Sequence, residues 1–257
     1  MKLPVGARPR TAGDFQEAPW WRAPSTGARV IAFISGSGGT GVTTTATGTG
    51  LALVAAGSTA LVDVGTGHAS GGWRLETALG PVLADVVRPG WRGPATGPPG
   101  GLTTIDGGGA PLEPQLMRTA LGVVSGAYAT TLLDIGNDVS RAATTALAEA
   151  DRAVLVTSLS HTALDAAAAT IDRLARTAPA QARDLVVAVV LTRRQPVARV
   201  DRHLRDHLPE GAGGWVVVPY DGAAARDNPL DPLRLRSRTR AAYDRLAGLL
   251  STSRPAM

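Results

Sequence analysis

The chain contains no cysteine, which excludes disulfides, thiolate metal sites and cysteine nucleophiles. Long apolar runs are also absent, so the sequence predicts no membrane-spanning helix. The N-terminus lacks the apolar core of a secretory signal, and a cytoplasmic location is expected. Among the few histidines, His203 and His207 have a spacing that can hold a metal on a helix. Without an H-E-x-x-H pattern we interpret them as part of a solvated basic face.

Lysine is nearly absent, because Lys2 is the only one in the sequence. The other residues that give the formal net charge of +5 are arginines. Because no lysine lies in the body of the protein, any phosphate site must be built from backbone amides, hydroxyls or arginine.

The composition changes along the chain. Residues 1–27 are rich in proline, glycine and arginine and are expected to form a flexible arm. This arm contains Trp20 and Trp21, which either anchor a membrane or a partner or fold back onto the domain. Residues 28–257 are expected to form one domain.

Apolar, β-branched runs alternate with alanine-rich stretches from residue 28 onward. Strands are predicted over 30–34, 60–64, 130–135, 153–157, 185–191 and 215–218, with a short strand at 102–105. Helices are predicted over 43–56, 112–125, 140–150, 162–177, 197–208 and 232–250. This alternation predicts an α/β fold with a doubly wound, mostly parallel sheet flanked by helices. The density of proline and glycine in residues 88–110 predicts a long surface loop.

A glycine-rich turn follows the first predicted strand and precedes a helix that opens with threonines. Such a turn lets backbone amides close on an anion, and the helix N-terminus adds its positive end. The candidate cofactor-binding residues are Gly38, Gly39, Thr40, Gly41, Val42, Thr43 and Thr44. The alternative is a tight strand-to-helix turn that binds nothing.

Residues 37–44, SGGTGVTT, resemble the deviant Walker A loop of the ParA/MinD family of P-loop ATPases, K-G-G-x-G-K-[ST]-[ST]. ALVDVG at 60–65 resembles the strand that carries the family's D-x-D pair, with Asp63 kept. TTLLDIGND at 130–138 resembles the Walker B strand, with Asp134 at the metal-side position. WVVVPYD at 215–221 resembles a late strand end of the family. The resemblance implies the P-loop NTPase fold.

Three departures from the family pattern affect the chemistry: Ser37 and Val42 replace both lysines, and Gly65 replaces the second Asp of D-x-D. In the family these positions supply charge at the phosphates and orient the attacking water. Loss of one such electrostatic group typically costs ~10²–10³ in rate. The expectation is therefore a pseudo-ATPase with no catalytic residue assigned.

Weak binding of ATP or ADP with Mg²⁺ stays open, with Thr43 and Asp134 holding the metal only if nucleotide binds. An arginine that replaces the missing charge is an alternative, and the candidates are Arg74, Arg88, Arg193 and Arg194.

Four arginines, Arg234, Arg236, Arg238 and Arg240, lie on the predicted last helix. At i, i+4 spacing they would pair on its faces and could meet DNA phosphates, an anionic membrane or an acidic partner. The alternative is a solvated helix face. The resemblance also implies protein partners within a larger assembly and a homodimer. The end of the chain, STSRPAM, has no apolar face, so the amphipathic membrane tail of MinD relatives is not expected. A peripheral membrane location would depend on the four arginines or on Trp20 and Trp21.

We favour a catalytically degenerate ParA/MinD-like protein that serves as a localisation or assembly factor. The machine would be a pilus or secretion apparatus, a division site or a partition complex. The first alternative is an active ATPase of the same type with a rearranged site. A metabolic ligase or kinase on the same fold is less well supported, because those enzymes also depend on the loop lysine.

Overall fold

The computed structural model describes residues 29–65, 81–88, 91, 101–108, 112–194, 200, 204, 214–226 and 230–251. Its strands are β1 (Arg29–Ile34), β2 (Thr59–Asp63), β3 (Thr103–Ile105), β4 (Thr130–Gly136), β5 (Arg152–Ser158), β6 (Val186–Val190) and β7 (Trp215–Val218). They form one sheet in the order β3-β2-β4-β1-β5-β6-β7, and each pairing is parallel. The predicted doubly wound fold is confirmed.

The helices are α1 (Val42–Leu53), α2 (Pro114–Ala127), α3 (Arg141–Ala148), α4 (His161–Thr177), α5 (Pro179–Arg183) and α6 (Ser237–Ser251). Ser140 and Ser160 cap α3 and α4, because their hydroxyls accept hydrogen bonds from the amides three residues later. Helix α5 was not predicted, since five residues are too few to show a period. The helix predicted over 197–208 lies largely outside the described residues.

The central strand β1 is buried on both faces. Val30, Ala32 and Ile34 join the core beneath α2, α3 and α4. Ile31 and Phe33 join the core beneath α1 and α6. Side chains of a strand alternate between its two faces, which explains why the strand sequences are continuously apolar rather than alternating with polar residues.

The last helix begins at Ser237, so its predicted start at residue 232 is wrong. Asp231 organises a turn instead: its carboxylate accepts a hydrogen bond from the Leu233 amide at 2.9 Å, and its carbonyl accepts one from the Arg234 amide at 3.0 Å. Arg234 and Arg236 therefore precede the helix. The i, i+4 relation predicted for Arg234 and Arg238 is therefore wrong. For Arg236 and Arg240 it holds, because the Arg236 carbonyl accepts a hydrogen bond from the Arg240 amide at 3.0 Å. All four arginines are exposed.

The segment predicted as a long loop is described only in part. Its short strand is confirmed as β3. A 3₁₀ turn at Leu83–Asp85 precedes it, and Val82 bridges Asp106. Among the described helices none has the length and apolarity that a membrane crossing requires.

Candidate functional site

The glycine loop lies at the carboxyl end of β1. Ser35 donates its amide to the Gly136 carbonyl at 2.7 Å, which ties the start of the loop to the end of β4. Gly39 and Gly41 have φ values of 73° and 87°, a region that side-chain-bearing residues rarely adopt. Gly41 is also the N-cap of α1, and its carbonyl accepts a hydrogen bond from the Thr45 amide at 2.9 Å. The turn shape predicted from the glycine spacing is present.

The loop is tight at its base and open at its tip. A Cβ atom at Gly36 would overlap the Ala166 carbonyl of α4, so glycine is required there. A Cβ atom at Gly38 or Gly39 would meet no atom within 4 Å, and both residues are exposed. Thr40 is buried and donates its hydroxyl to the Ser37 carbonyl at 3.4 Å. A ligand can approach at the tip, where the exposed backbone lies.

Val42, where the loop resemblance implies a phosphate-reaching lysine, is only 8% exposed. It packs with the core beneath α1 and α6. A Cβ atom at the neighbouring Gly41 would lie 3.6 Å from Val190 at the end of β6. Ser37, Thr43 and Thr44 are each half-buried. The Val42 position therefore provides apolar packing.

Asp134 lies two residues before the end of β4 and is 4% exposed. Burial raises the pKa of its carboxyl to about 6, while hydrogen bonding from the Thr43 hydroxyl and the Gly136 amide opposes the shift. Its Oδ2 atom is buried and has no hydrogen-bond partner among the described residues. An unsatisfied buried carboxylate oxygen is a group that a cation or a proton would stabilise.

Asp63 ends β2 and pairs in register with Asp134. Burial, followed by the negative charges of Asp134 and Asp106, raises the pKa of Asp63 to about 7 against the opposing hydrogen bond from the Gly65 amide. That hydrogen bond measures 3.1 Å from Gly65 N to Asp63 Oδ1. Gly65 thus supplies a backbone donor at the position where the resemblance implies a second carboxylate.

These residues fit part of what a magnesium nucleotide requires. The Thr43 hydroxyl and the Asp134 carboxylate are oxygen donors of the kind Mg²⁺ prefers, and Mg²⁺ usually takes its remaining ligands from phosphate and water. No group of three or more His, Cys, Asp or Glu suited to a metal occurs in the described part. The oxygen donors present are therefore enough for a metal shared with phosphate, but not for an all-protein metal cage.

The arginines proposed to replace the lysine charge differ in placement. Arg88 forms an exposed ion pair with Asp85 at 2.9 Å, so its charge is already matched. Arg193 and Arg194 are exposed just beyond β6, the strand whose Val190 adjoins the glycine loop. Arg74 lies outside the described residues, as do Trp20, Trp21, His203 and His207.

Asp221, after β7, has a structural role that the sequence did not reveal. It is buried and accepts hydrogen bonds from the Ala223 amide at 3.0 Å and the Arg236 amide at 2.8 Å. Burial alone would raise the pKa of this carboxyl. The Arg236 and Ala223 amides, the Thr239 hydroxyl and the Arg236 charge together outweigh burial, and the pKa is lowered. Asp221 therefore fixes the approach to α6, a long-range contact with no local sequence signal.

The fold is that of the ParA/MinD family of P-loop ATPases. A ParA family ATPase from Chlorobium tepidum superposes with a TM-score of 0.69 at 17% identity, over 86% of this chain and 98% of that one. A MinC:MinD cell division protein complex from Aquifex aeolicus superposes with a TM-score of 0.68 at 21% identity, over 90% of this chain and 98% of that one. MinD of Pyrococcus horikoshii in complex with Mg-ADP superposes with a TM-score of 0.63 at 19% identity, over 85% of this chain and 94% of that one. No protein-family model and no curated protein matches the sequence.

Proposed function

We propose that this chain is a ParA/MinD-like protein that acts by binding, without efficient ATP hydrolysis. The observation that carries the proposal is the position of Val42, which is packed in the core where the family has its phosphate-reaching lysine. The second lysine position is Ser37, and the chain has no lysine beyond Lys2. Phosphoryl transfer depends on positioned positive charge, so turnover is disfavoured while phosphate binding is retained.

Nucleotide binding would use the groups that remain. The loop tip at Gly38 and Gly39 is exposed, and the N-terminus of α1 follows it. Their backbone amides are the groups that would bind a phosphate. Thr43 and Asp134 would hold Mg²⁺, which supplies positive charge beside the phosphates when bound. Because the lysine charges are missing, the affinity for ATP or ADP should be weak.

The role we propose is that of a localisation or assembly factor that works through protein partners. ParA and MinD structures share its fold, and the MinC:MinD structure is a complex of two cell division proteins. Division and partition machines are therefore the first candidates, and a pilus or secretion apparatus follows from the loop resemblance. A homodimer, as the family resemblance implies, is part of the same proposal.

Calorimetric titration of the full chain with Mg·ATP and Mg·ADP tests the binding step. We expect weak binding that Asp134→Asn abolishes, because the metal would lose its carboxylate. Thr119→Ala, which removes an exposed hydroxyl on α2, serves as the matched control and should bind as the parent does. Loss of the signal in both variants, or no signal with the parent, would contradict nucleotide binding at this loop.

A further inference from the structure

A cleft lies between α3 and α4, at the carboxyl ends of β1 and β4. Ile34, Ile135 and Leu174 line it, and each is at most 4% exposed. The volume of the cleft is about 150 Å³. That is below the ~300–1,000 Å³ of sites for drug-sized ligands, but an apolar cavity of this size can hold a molecule as large as benzene. The cleft therefore suits one aliphatic side chain.

Apolar surface continues from the cleft to the outside of the protein. Val139 lines the cleft and is 65% exposed, one of two large hydrophobic residues that are exposed in the described part. Leu147 of α3 also lines the cleft and is half-buried. A single exposed valine is ordinary on a protein surface, but this one adjoins an apolar cleft. A small molecule inside the cleft would leave most of Val139 in water, whereas a polypeptide segment across the opening would cover it.

Several polar side chains that line the cleft are already bound within the protein. Thr144 donates its hydroxyl to the Ser140 carbonyl at 2.9 Å. Thr177 donates its hydroxyl to the Arg173 carbonyl at 3.0 Å. Asp138 accepts the Ser140 amide on Oδ1 at 2.7 Å, and its charge lies beside the positive end of the α3 dipole. The Oδ2 atom of Asp138 has no hydrogen-bond partner among the described residues, but it is buried and a ligand in the cleft does not reach it.

Arg173 differs from these groups. It lines the cleft from α4, is exposed and makes no ion pair within the described residues. Its guanidinium can therefore bind a carboxylate from another molecule. A ligand that satisfies both the apolar walls and this charge carries an aliphatic group next to an acidic one.

We infer that the cleft docks a partner protein, which inserts one aliphatic side chain and pairs an adjacent acidic residue with Arg173. A buried anchor in a pocket with a polar contact at its rim is a common plan of protein interfaces. The inference rests on the proposed function, in which the chain works through protein partners, and it identifies the surface that a partner would contact.

Methyl NMR of the full chain, without nucleotide, tests the inference with three short peptides. The peptides are acetyl-Glu-Leu-Glu-amide, acetyl-Glu-Ser-Glu-amide and acetyl-Lys-Leu-Lys-amide. We expect only the first to shift the methyl signals of Val139, Leu147 and Leu174, with weak, saturable binding. The serine peptide lacks the apolar anchor, and the lysine peptide brings positive charge to Arg173. Absence of shifts with all three peptides would overturn the inference.

Three variants locate the contact. Val139→Ser should weaken binding of the acidic leucine peptide about fivefold, because less apolar surface is covered. Arg173→Gln should weaken it about threefold, the size expected for an exposed ion pair. Thr144→Trp should abolish binding, because a large side chain at this exposed lining position would fill the cleft. All three side chains are exposed, so the variants should fold as the parent does.

Two substitutions elsewhere serve as controls. Leu233→Ser removes the other exposed large hydrophobic residue of the described part. Arg176→Gln removes an exposed charge of α4 that does not line the cleft. Neither should change binding of the acidic leucine peptide. Equal loss in target and control variants would mean that the peptide binds diffusely, and it would overturn the assignment.

Other occupants of the cleft give distinct results, and each would overturn the docking inference. Equal shifts with the lysine peptide would show that Asp138 dominates the charge at the cleft. Binding of isocaproate, a free branched acid, as tight as that of the peptide would assign the cleft to a small molecule. Methyl shifts that depend on protein concentration alone would place a second copy of the chain there. The Mg·ATP titration is independent of this surface, so these results leave nucleotide binding to its own test.

Discussion

Asp63 lies directly opposite Asp134 in the parallel ladder between β2 and β4, and both carboxyls are buried at the carboxyl edge of the sheet. Burial raises the pKa of Asp63 to about 7 and that of Asp134 to about 6. Two adjacent buried carboxyls resist ionising together. The Asp63–Asp134 pair therefore takes up and releases protons near neutral pH. A cation that binds these carboxylates would compete with the protons.

The first prediction is that stability falls as pH rises from about 4 to about 7. Both folded-state pKa values lie above the ordinary value of 3.8. In this range the folded state holds protons that the unfolded state has released, so each carboxyl lowers the free energy of unfolding by up to about 1.4 kcal/mol per pH unit. The Asp134 contribution ends near pH 6 and the Asp63 contribution near pH 7. Urea unfolding across this range measures the slope.

Asp63→Asn should flatten the upper part of that slope. Asp172→Asn, an exposed position on α4, should leave it unchanged. A parent protein whose stability rises from pH 4 to pH 7 would show that the pair is ionised and compensated in the folded state.

The second prediction is that Mg·ATP is not turned over above background. Two lysine positions are Ser37 and Val42, and the position that orients water in the family is Gly65. Each loss is expected to lower the rate by ~10²–10³. Steady-state phosphate release measures it. Robust release that Thr43→Ala abolishes would favour the active ATPase alternative.

The third prediction concerns restoring the lysines. Ser37→Lys with Val42→Lys should tighten nucleotide binding by placing charge opposite the phosphates, with little turnover because Gly65 lacks a carboxylate. Val42 is a core residue, so its replacement should also lower the free energy of unfolding by about 1–3 kcal/mol. Ser37→Lys alone, at a half-buried position, serves as the stability control. Calorimetry that finds no binding in either protein would indicate a loop closed to phosphate.

The fourth prediction compares two glycines of the same loop. Gly36→Ala should lower the free energy of unfolding by roughly 1–3 kcal/mol. The added Cβ atom would overlap the Ala166 carbonyl, a backbone group that cannot rotate away. Gly38→Ala should be nearly neutral, since no atom lies within 4 Å of its Cβ position. Thermal unfolding of both variants measures the difference, and equal effects would argue against close packing of the loop base on α4.

The fifth prediction separates two arginines of α6. Arg240→Ala should lower the free energy of unfolding by about 1 kcal/mol, because it loses hydrogen bonds to the Pro232 and Leu235 carbonyls. Arg238→Ala, which breaks no ion pair within the described residues, should change stability little. Denaturant unfolding measures both. A neutral Arg240→Ala would mean that solvent replaces those hydrogen bonds without loss.

The predicted strands match the observed ones closely because buried parallel strands are continuous apolar runs, a local property of the sequence. The start of α6 was missed for the opposite reason. Arg240 folds back onto carbonyls that precede the helix, and Asp221 binds the Arg236 amide from 15 residues away. Such contacts exist only once β7 and the turn are in place.

The sequence by itself determined that strands and helices alternate, that glycines shape the loop after β1, and that the loop has no lysine. The tertiary structure decided which of these features meet. Strand order alone placed Asp63 beside Asp134, although 71 positions separate them in the sequence. Packing of α1 and α6 on one face decided that Val42 is a core residue. Composition and periodicity are local, whereas neighbours across a sheet depend on how distant segments are ordered.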